Sequence, residues 1–437
     1  MFILDIAPAK YSDPWKEPLR NRLAALLKGD RRIAYFYEAP DNSTFRYRVY
    51  NMIQVLNEAD QGVSAAYFSG PEIDSLDKVI DSIDVLVICR TRYSDKLNQL
   101  ITRAQNKGKT VFFDVDDLVF DPDYIHLLLT TLAQDLRHPS VWDHWYAYVG
   151  RMGAALRMCD KVIVTNEYLA SRVTHYTNKP VSVIPNFLNK EQMAISQRIF
   201  EEKRASHFAR NKKIYLGYFS GTPTHNKDFE IVSSALASLL KKDPRVMIRI
   251  VGFLDLPAPL RDYQSRIEFY PLHDFVNLQR LVGLVEINLI PLQDNVFTNC
   301  KSELKYFEAG IVGTVSIASP TFTLSRAIED GYNGYIAHAF QWDEKIQLLL
   351  SDMESYPVMA ERAYLHSEEK YGWKNQAQLL LDTLLGQNDS WQSNRHSRDA
   401  AIRVPSDAQS CFPDEGEAES ACGRVASIGT LGQRGNR

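Results

Sequence analysis

At 437 residues, 45% of them hydrophobic, the chain is too long for one ordinary core and suits two domains with appendages. A formal net charge of -4 argues against nucleic acid as the main partner, which would demand a basic surface. The five cysteines are scattered without a CxxC, which speaks against a zinc module and a disulfide framework and predicts a reducing, cytoplasmic setting.

No run approaches the roughly 18 apolar residues of a membrane span. The opening MFILDIAPAK is interrupted too soon by Asp5 for a secretory signal, so a soluble protein is predicted. Residues 1–29 read as an extension carrying one amphipathic helix, WKEPLRNRLAALLKG. Trp15, Leu19, Leu23, Leu26 and Leu27 share one face, and Lys16, Arg20, Arg22 and Lys28 lie opposite. Such a helix either rests on the inner face of a membrane, giving peripheral contact through residues 15–28, or packs on the first domain.

Residues 30–192 alternate short, uniformly apolar strands with amphipathic helices. The strands are predicted at Ile33–Glu38, Ser64–Phe68, Val85–Cys89, Val111–Val115, Val162–Thr165 and Val181–Ile184. That alternation indicates a parallel sheet covered on both faces. Residues 193–212, charged and helix-prone with no strand, read as the interdomain linker. The rhythm resumes over 213–355 with strands at Ile214–Tyr218, Met247–Val251, Ile267–Tyr270, Ile287–Pro291 and Val315–Ala318. Two helices follow over 356–386. The remainder, 387–437, is polar and low in apolar residues, and is predicted disordered, with Cys411 and Cys422 in it. The fold class is thus α/β, with two Rossmann-like doubly wound domains facing a cleft where ligands bind at the carboxyl ends of the strands.

Two loops of the second domain carry the chemistry. In YFSGTPTHNKDF, Ser220, Gly221 and Thr222 turn a strand into a helix, and backbone N–H groups at such a corner suit an anion. Lys227 sits at the helix start, where a cation is disfavoured unless an anion lies nearby. In NCKSELKYFEAGIVGTVSIAS, Ser302 is placed to cap a helix with Lys301 and Lys305 near its amino end. Either corner alone could be a plain turn; together they suit a pyrophosphate. His225 is placed to touch the same ligand, or to hydrogen-bond nearby backbone. The dinucleotide fingerprint GxGxxG is absent, as are GxSxG, HExxH and a P-loop.

The ordered set GYFSGTPTHNKDF, VGF, INLIPL and KSELKYFEAGIVGTVSIAS resembles the nucleotide-sugar domain of GT-B glycosyltransferases, in particular the large retaining group 1 family of bacterial polysaccharide assembly. RYRVYNMIQVL, VFFDVDDLVF and CDKVIVTNEYLASRV are similar to segments of its acceptor domain, and the likeness covers roughly residues 33 to 385. The resemblance implies a hexosyltransferase that uses a nucleotide-diphosphate sugar, a glycan or lipid-linked acceptor, and no cofactor or metal. The family pairs two glutamates separated by seven residues. Glu308 matches the second, which holds the donor ribose; the first falls at Cys300, which is not an acid, and Glu303 is out of register. Lys227 matches the family's phosphate lysine, while the basic residue expected shortly after Gly221 is missing, a charge that Lys301 is placed to supply.

In the first domain, Asp114, Asp116 and Asp117 end a buried strand. They are read as facing acceptor hydroxyls or assisting proton transfer, with helix capping and metal binding as the other roles such a cluster takes. Arg46 and Arg48 open the helix after the first strand, either meeting an acceptor phosphate or solvated at the surface. The rival functions are a GT-B-like sugar-nucleotide epimerase and a catalytically inactive donor-binding or scaffolding subunit.

Overall fold

Uniformly apolar strands bury both their faces, and here the inner strands of two parallel sheets do so. In the computed structural model, which describes residues 1–386 apart from Asp60 and Thr222, the first sheet holds β1 (Arg31–Tyr37), β2 (Val63–Ser69), β3 (Val85–Cys89), β4 (Thr110–Val115), β5 (Lys161–Val164) and β6 (Val181–Val183). The second holds β7 (Ile214–Ser220), β8 (Val246–Gly252), β9 (Ile267–Tyr270), β10 (Ile287–Ile290), β11 (Val315–Ala318) and β12 (Tyr335–Ile336). The tail predicted disordered, 387–437, lies outside the described residues. The two-residue β12 escapes the sequence pattern because it is too short to show a period.

The strand orders are β2-β1-β3-β4-β5-β6 and β12-β11-β10-β7-β8-β9. Each order reverses direction at one place, between β1 and β3 in the first sheet and between β7 and β10 in the second. Ligands of doubly wound sheets sit at such switch points, outside the carboxyl ends of the strands. The loops leaving β1, β3, β7 and β10 are therefore the ones that matter.

The segment read as a linker is the helix Lys190–Ala205, and one face of it is core. Ile199 and Phe200 are fully buried, each worth about 1.5–3 kcal/mol of burial, and pack with the second sheet. Its polar residues made the pattern look solvated, yet Gln192, Ser196 and Lys203 are buried as well, in hydrogen bonds. The helix Leu19–Leu26 is shorter than the amphipathic pattern. Trp15 and Leu26 are buried, Leu19 and Leu23 pack on the first core, and Arg22 pairs with Glu72 at 2.6 Å. Most of the apolar face thus packs on the first domain, while Leu27 stays exposed. The last helix, Ala377–Leu385, returns to that domain, where Leu380 and Leu384 join Ile33 and Val87. Among the described residues no helix is long and apolar enough to cross a membrane.

Candidate functional site

Where β7 ends, the chain must turn sharply beside the end of β8. Gly252 permits this: its φ is +96°, and a Cβ there would lie 1.8 Å from the Ser220 carbonyl oxygen. Gly221 is exposed, with open space where a side chain would stand. His225 Nδ1 lies 2.9 Å from Asp228 Oδ2, and Asp228 Oδ1 accepts from the backbone and side-chain nitrogens of Gln293 at 3.1 and 3.0 Å. The corner after β7 is thereby tied to the loop after β10, across the switch point. Burial holds the His225 imidazole below its ordinary pKa, helped by Lys305 and Lys301 and opposed by Asp228. Thr222 lies outside the described residues.

The cations gather on the other side of that switch point. Lys305 lies over the Tyr218 ring, its ammonium 5.1 Å from the centroid, and among the described residues no hydrogen bond or ion pair reaches its Nζ. Burial and the neighbouring Lys301 push its pKa down to about 8, against the pull of Asp228 and Glu308. A half-buried ammonium without a counterion is costly, and an incoming anion would relieve that cost. Lys301 lies over Phe297 at 4.5 Å and reaches Asp117 of the first domain at 3.4 Å. Lys227 does not turn into the corner. Its Nζ crosses to donate to the Thr130 carbonyl of the first domain at 2.7 Å.

The expected helix cap is different. The helix runs Leu304–Gly310 with Glu303 at the cap position, and the buried Ser302 Oγ has no hydrogen-bond partner among the described residues. With an acid at its head and only seven residues, this helix offers little positive end. The lysine charges define the site instead. Glu303 is buried and accepts from the Tyr371 hydroxyl at 2.7 Å, away from the lysines' partners. Cys300 is fully buried among first-domain apolar residues, and its carbonyl accepts from Asn166 at 2.8 Å. An acid at that position would enter an apolar seam, which gives the departure from the glutamate pair a physical reason.

Glu308 is buried, and its Oε1 accepts from the Tyr47 hydroxyl, from Gln192 Nε2 at 3.0 Å and from Arg46 Nη2 at 3.2 Å. Oε2 takes no hydrogen bond among the described residues. The donors come largely from a tight π-helical turn, Arg46–Tyr50, that leads into the helix Asn51–Glu58. Arg46 is 5% exposed and Arg48 is 0% exposed, so neither is free to meet an acceptor phosphate. Arg48 grips Asp114 with two hydrogen bonds, 2.8 and 2.9 Å, and also binds the Ile184 carbonyl and Asn186. Asp114 is 1% exposed. Both readings are corrected: this arginine and this aspartate are a buried structural pair, because two charges separated by 66 residues find each other only in the fold.

Asp116 and Asp117 are half-buried and follow the end of β4. Asp116 accepts from Thr44 Oγ1 at 2.8 Å and from Arg90 Nη1 at 2.7 Å. Burial pushes its carboxyl up, but Arg90 and Thr44 pull harder, and the net pKa lies below the ordinary value. Each of the three aspartates has a cation as its partner: Arg48 for Asp114, Arg90 for Asp116 and Lys301 for Asp117. Arg90 was not foreseen. It holds a left-handed backbone, φ +38°, a strained conformation for a non-glycine residue, and it follows β3 at the first switch point. That position was its available signal. Tyr47 and Gln192 carried none, since their partner Glu308 lies 261 and 116 residues away.

No family model matches the chain. Spore coat protein SA of Bacillus subtilis strain 168 is 29% identical over 345 residues, spanning 71% of this chain and 86% of that protein. HepE of Anabaena, solved with UDP and glucose, superposes with a TM-score of 0.54 at 13% identity, over 81% of this chain and 99% of its own. Sucrose-phosphate synthase of Thermosynechococcus elongatus gives 0.52 at 14% identity, over 84% and 99%. A glycosyltransferase of Rickettsia africae gives 0.53 at 13% identity, over 82% and 99%. At these identities the likenesses speak to the fold.

Proposed function

We propose that this chain, which has the GT-B fold, is a glycosyltransferase that moves a sugar from a nucleotide-diphosphate donor to a glycan or lipid-linked acceptor. One observation carries the reading: at the switch point of the second sheet Lys305, with no counterion among the described residues, lies over the Tyr218 ring of β7, and it and Lys301 are near enough to His225 of the following corner to hold its pKa down. A diphosphate there would receive backbone N–H groups from the corner and two ammonium charges from the side. HepE, of the same fold, was solved with UDP and glucose, which supports placing a donor in this fold.

In the reaction the bond from the anomeric carbon to the diphosphate oxygen breaks, and negative charge grows on the leaving group. Lys305 and Lys301 face that charge, and donors fixed in advance act more strongly on the transition state than on the substrate. Lys227 becomes a third cation once its hold on Thr130 is released. Glu308 Oε2 is placed to take a ribose hydroxyl, with Oε1 fixed by Arg46, Tyr47 and Gln192. Asp116 and Asp117, with Arg90, face the acceptor side. Retention of configuration rests on the family resemblance, and the buried thiols Cys89, Cys159 and Cys300 suit a cytoplasmic setting.

The test is calorimetric titration with UDP-glucose, UDP-N-acetylglucosamine, GDP-mannose and dTDP-rhamnose, followed by an assay of nucleotide release with and without added glycan. We expect one donor to saturate and its nucleotide to be released only when glycan is present. Release without acceptor would favour the epimerase, and binding without turnover the donor-binding subunit. Failure of every donor to bind would sink the reading.

A further inference from the structure

The helix Pro139–Met158 carries an unusual run of rings, WDHWYAY, for a segment on the rim of a cleft. It is fastened there: Tyr93 N donates to the Arg151 carbonyl at 2.9 Å, and Arg151 Nε returns to the Tyr93 carbonyl at 2.8 Å. This pins the helix to the loop after β3 that also holds Arg90. Trp142, Trp145 and Tyr148 are half-buried, anchored on the first core, while His144 is exposed and Tyr146 is 52% exposed.

The rings form two neighbouring groups along the helix, one at Trp142 and one at His144, Trp145 and Tyr148. His126 meets Trp142 with centroids 5.9 Å apart, His144 meets Trp145 at 5.9 Å, and Trp145 meets Tyr148 at 5.6 Å. The Trp142 indole N–H is spent on the Leu136 carbonyl at 2.9 Å, which fixes that ring. At the cleft end, Arg92 lies 5.6 Å from the Tyr148 centroid and pairs with Glu38 at 2.6 Å, both still substantially exposed. Glu38 follows β1 and Arg92 follows β3, so this planar polar pair stands at the first sheet's switch point. From Trp142 to Tyr148 the helix rises about 9 Å, the length of about two successive sugar rings.

We propose that this aromatic strip, running out from the Glu38–Arg92 pair, is an extended acceptor subsite that stacks successive rings of a neutral oligosaccharide. Sugar rings present C–H faces to aromatic planes and hydroxyls to their edges; fixed rings flanked by a carboxylate–guanidinium pair match both needs. The chemistry distinguishes this occupant from a membrane. A membrane-facing helix brings lysines and arginines around its rings, whereas this strip carries Asp143 among them, and the helix's two arginines, Arg151 and Arg157, are turned to the Tyr93 carbonyl and the Tyr176 ring. The proposal rests on the glycosyltransferase reading and names its acceptor as a chain of sugars.

The experiment screens the full-length protein on an array of defined neutral oligosaccharides, then titrates the best hexasaccharide, its disaccharide and its monosaccharide, following tryptophan fluorescence. Expected is hexasaccharide binding at least about tenfold tighter than the monosaccharide, lost about tenfold in the exposed-site variant His144→Ala. Trp145→Phe, which keeps a ring, should retain most of it. Thermal melting confirms that each variant is folded. No array binding, equal affinity for one ring and six, or ring-dependent binding to anionic phosphatidylglycerol vesicles instead would overturn the proposal. UDP-glucose titration of the wild-type protein reports separately on the donor site, so the two readings can fail independently.

Discussion

Lys305 is where function and stability pull in opposite directions. Its ordinary pKa of 10.5 is pushed down to about 8 in the fold, so between those values the unfolded chain holds a proton that the folded one lacks. Stability therefore rises with pH across that window, and at pH 7 the full cost of the buried charge is present. Lys305→Met should raise stability at pH 7 by about 1–3 kcal/mol, a gain that fades above pH 8 and is gone near 10.5, as thermal melts across pH will show. Glu308 and Glu303 make the opposite pair. Glu308→Gln leaves the buried Arg46 charge uncompensated and should cost about 3–5 kcal/mol of stability, read by urea unfolding. Glu303 is pushed up by burial and has no cation in contact, so Glu303→Gln should leave stability at pH 7 unchanged or higher.

At the scale of elements, the strands were legible because a parallel strand covered on both faces is apolar throughout, and eleven of the twelve could be read this way. The corner after β7 was legible because Ser-Gly-Thr-Pro-Thr fits no regular period. The helix Lys190–Ala205 was legible as helix-prone, but its buried face was not, since its buried polar residues find their partners only in the fold. The pairing of Arg48 with Asp114 was hidden for the same reason, since partners 66 residues apart meet only in the fold. The corner itself depends on Gly252. Gly252→Ala would force a Cβ into the Ser220 carbonyl at a left-handed φ, and should cost about 2–4 kcal/mol in urea unfolding while lowering affinity for nucleoside diphosphate. A variant that melts and binds like the wild type would mean the corner is not held this way.

Over the whole molecule, the two Rossmann-like units are clasped by polar contacts that run straight through the proposed site: Lys301 to Asp117, Lys227 to Thr130, and Arg46 and Tyr47 to Glu308. Two of the three donor-site lysines are thus partly occupied by the opposite domain. Asp117→Asn should free Lys301 and tighten UDP binding by up to about tenfold, the size of one partly exposed ion pair of about 1 kcal/mol, with little change in stability. Calorimetry on this variant would read the strength of that clasp, and unchanged or weaker binding would show that Lys301 is not held back by it.

A diphosphate held by Lys305 at the second switch point would feel pH directly through that lysine. Below about 8 the ammonium is charged and waiting; above it, binding must first recapture a proton. UDP titrated by calorimetry from pH 6.5 to 10 should lose affinity through about 8, by up to about tenfold per unit beyond it, with proton uptake on binding. Lys305→Met should bind UDP at least about tenfold more weakly at pH 7, with that pH dependence abolished, and uridine equally well in both proteins. An affinity that stays flat across this range, or a Lys305→Met protein that binds UDP like the wild type, would contradict the account.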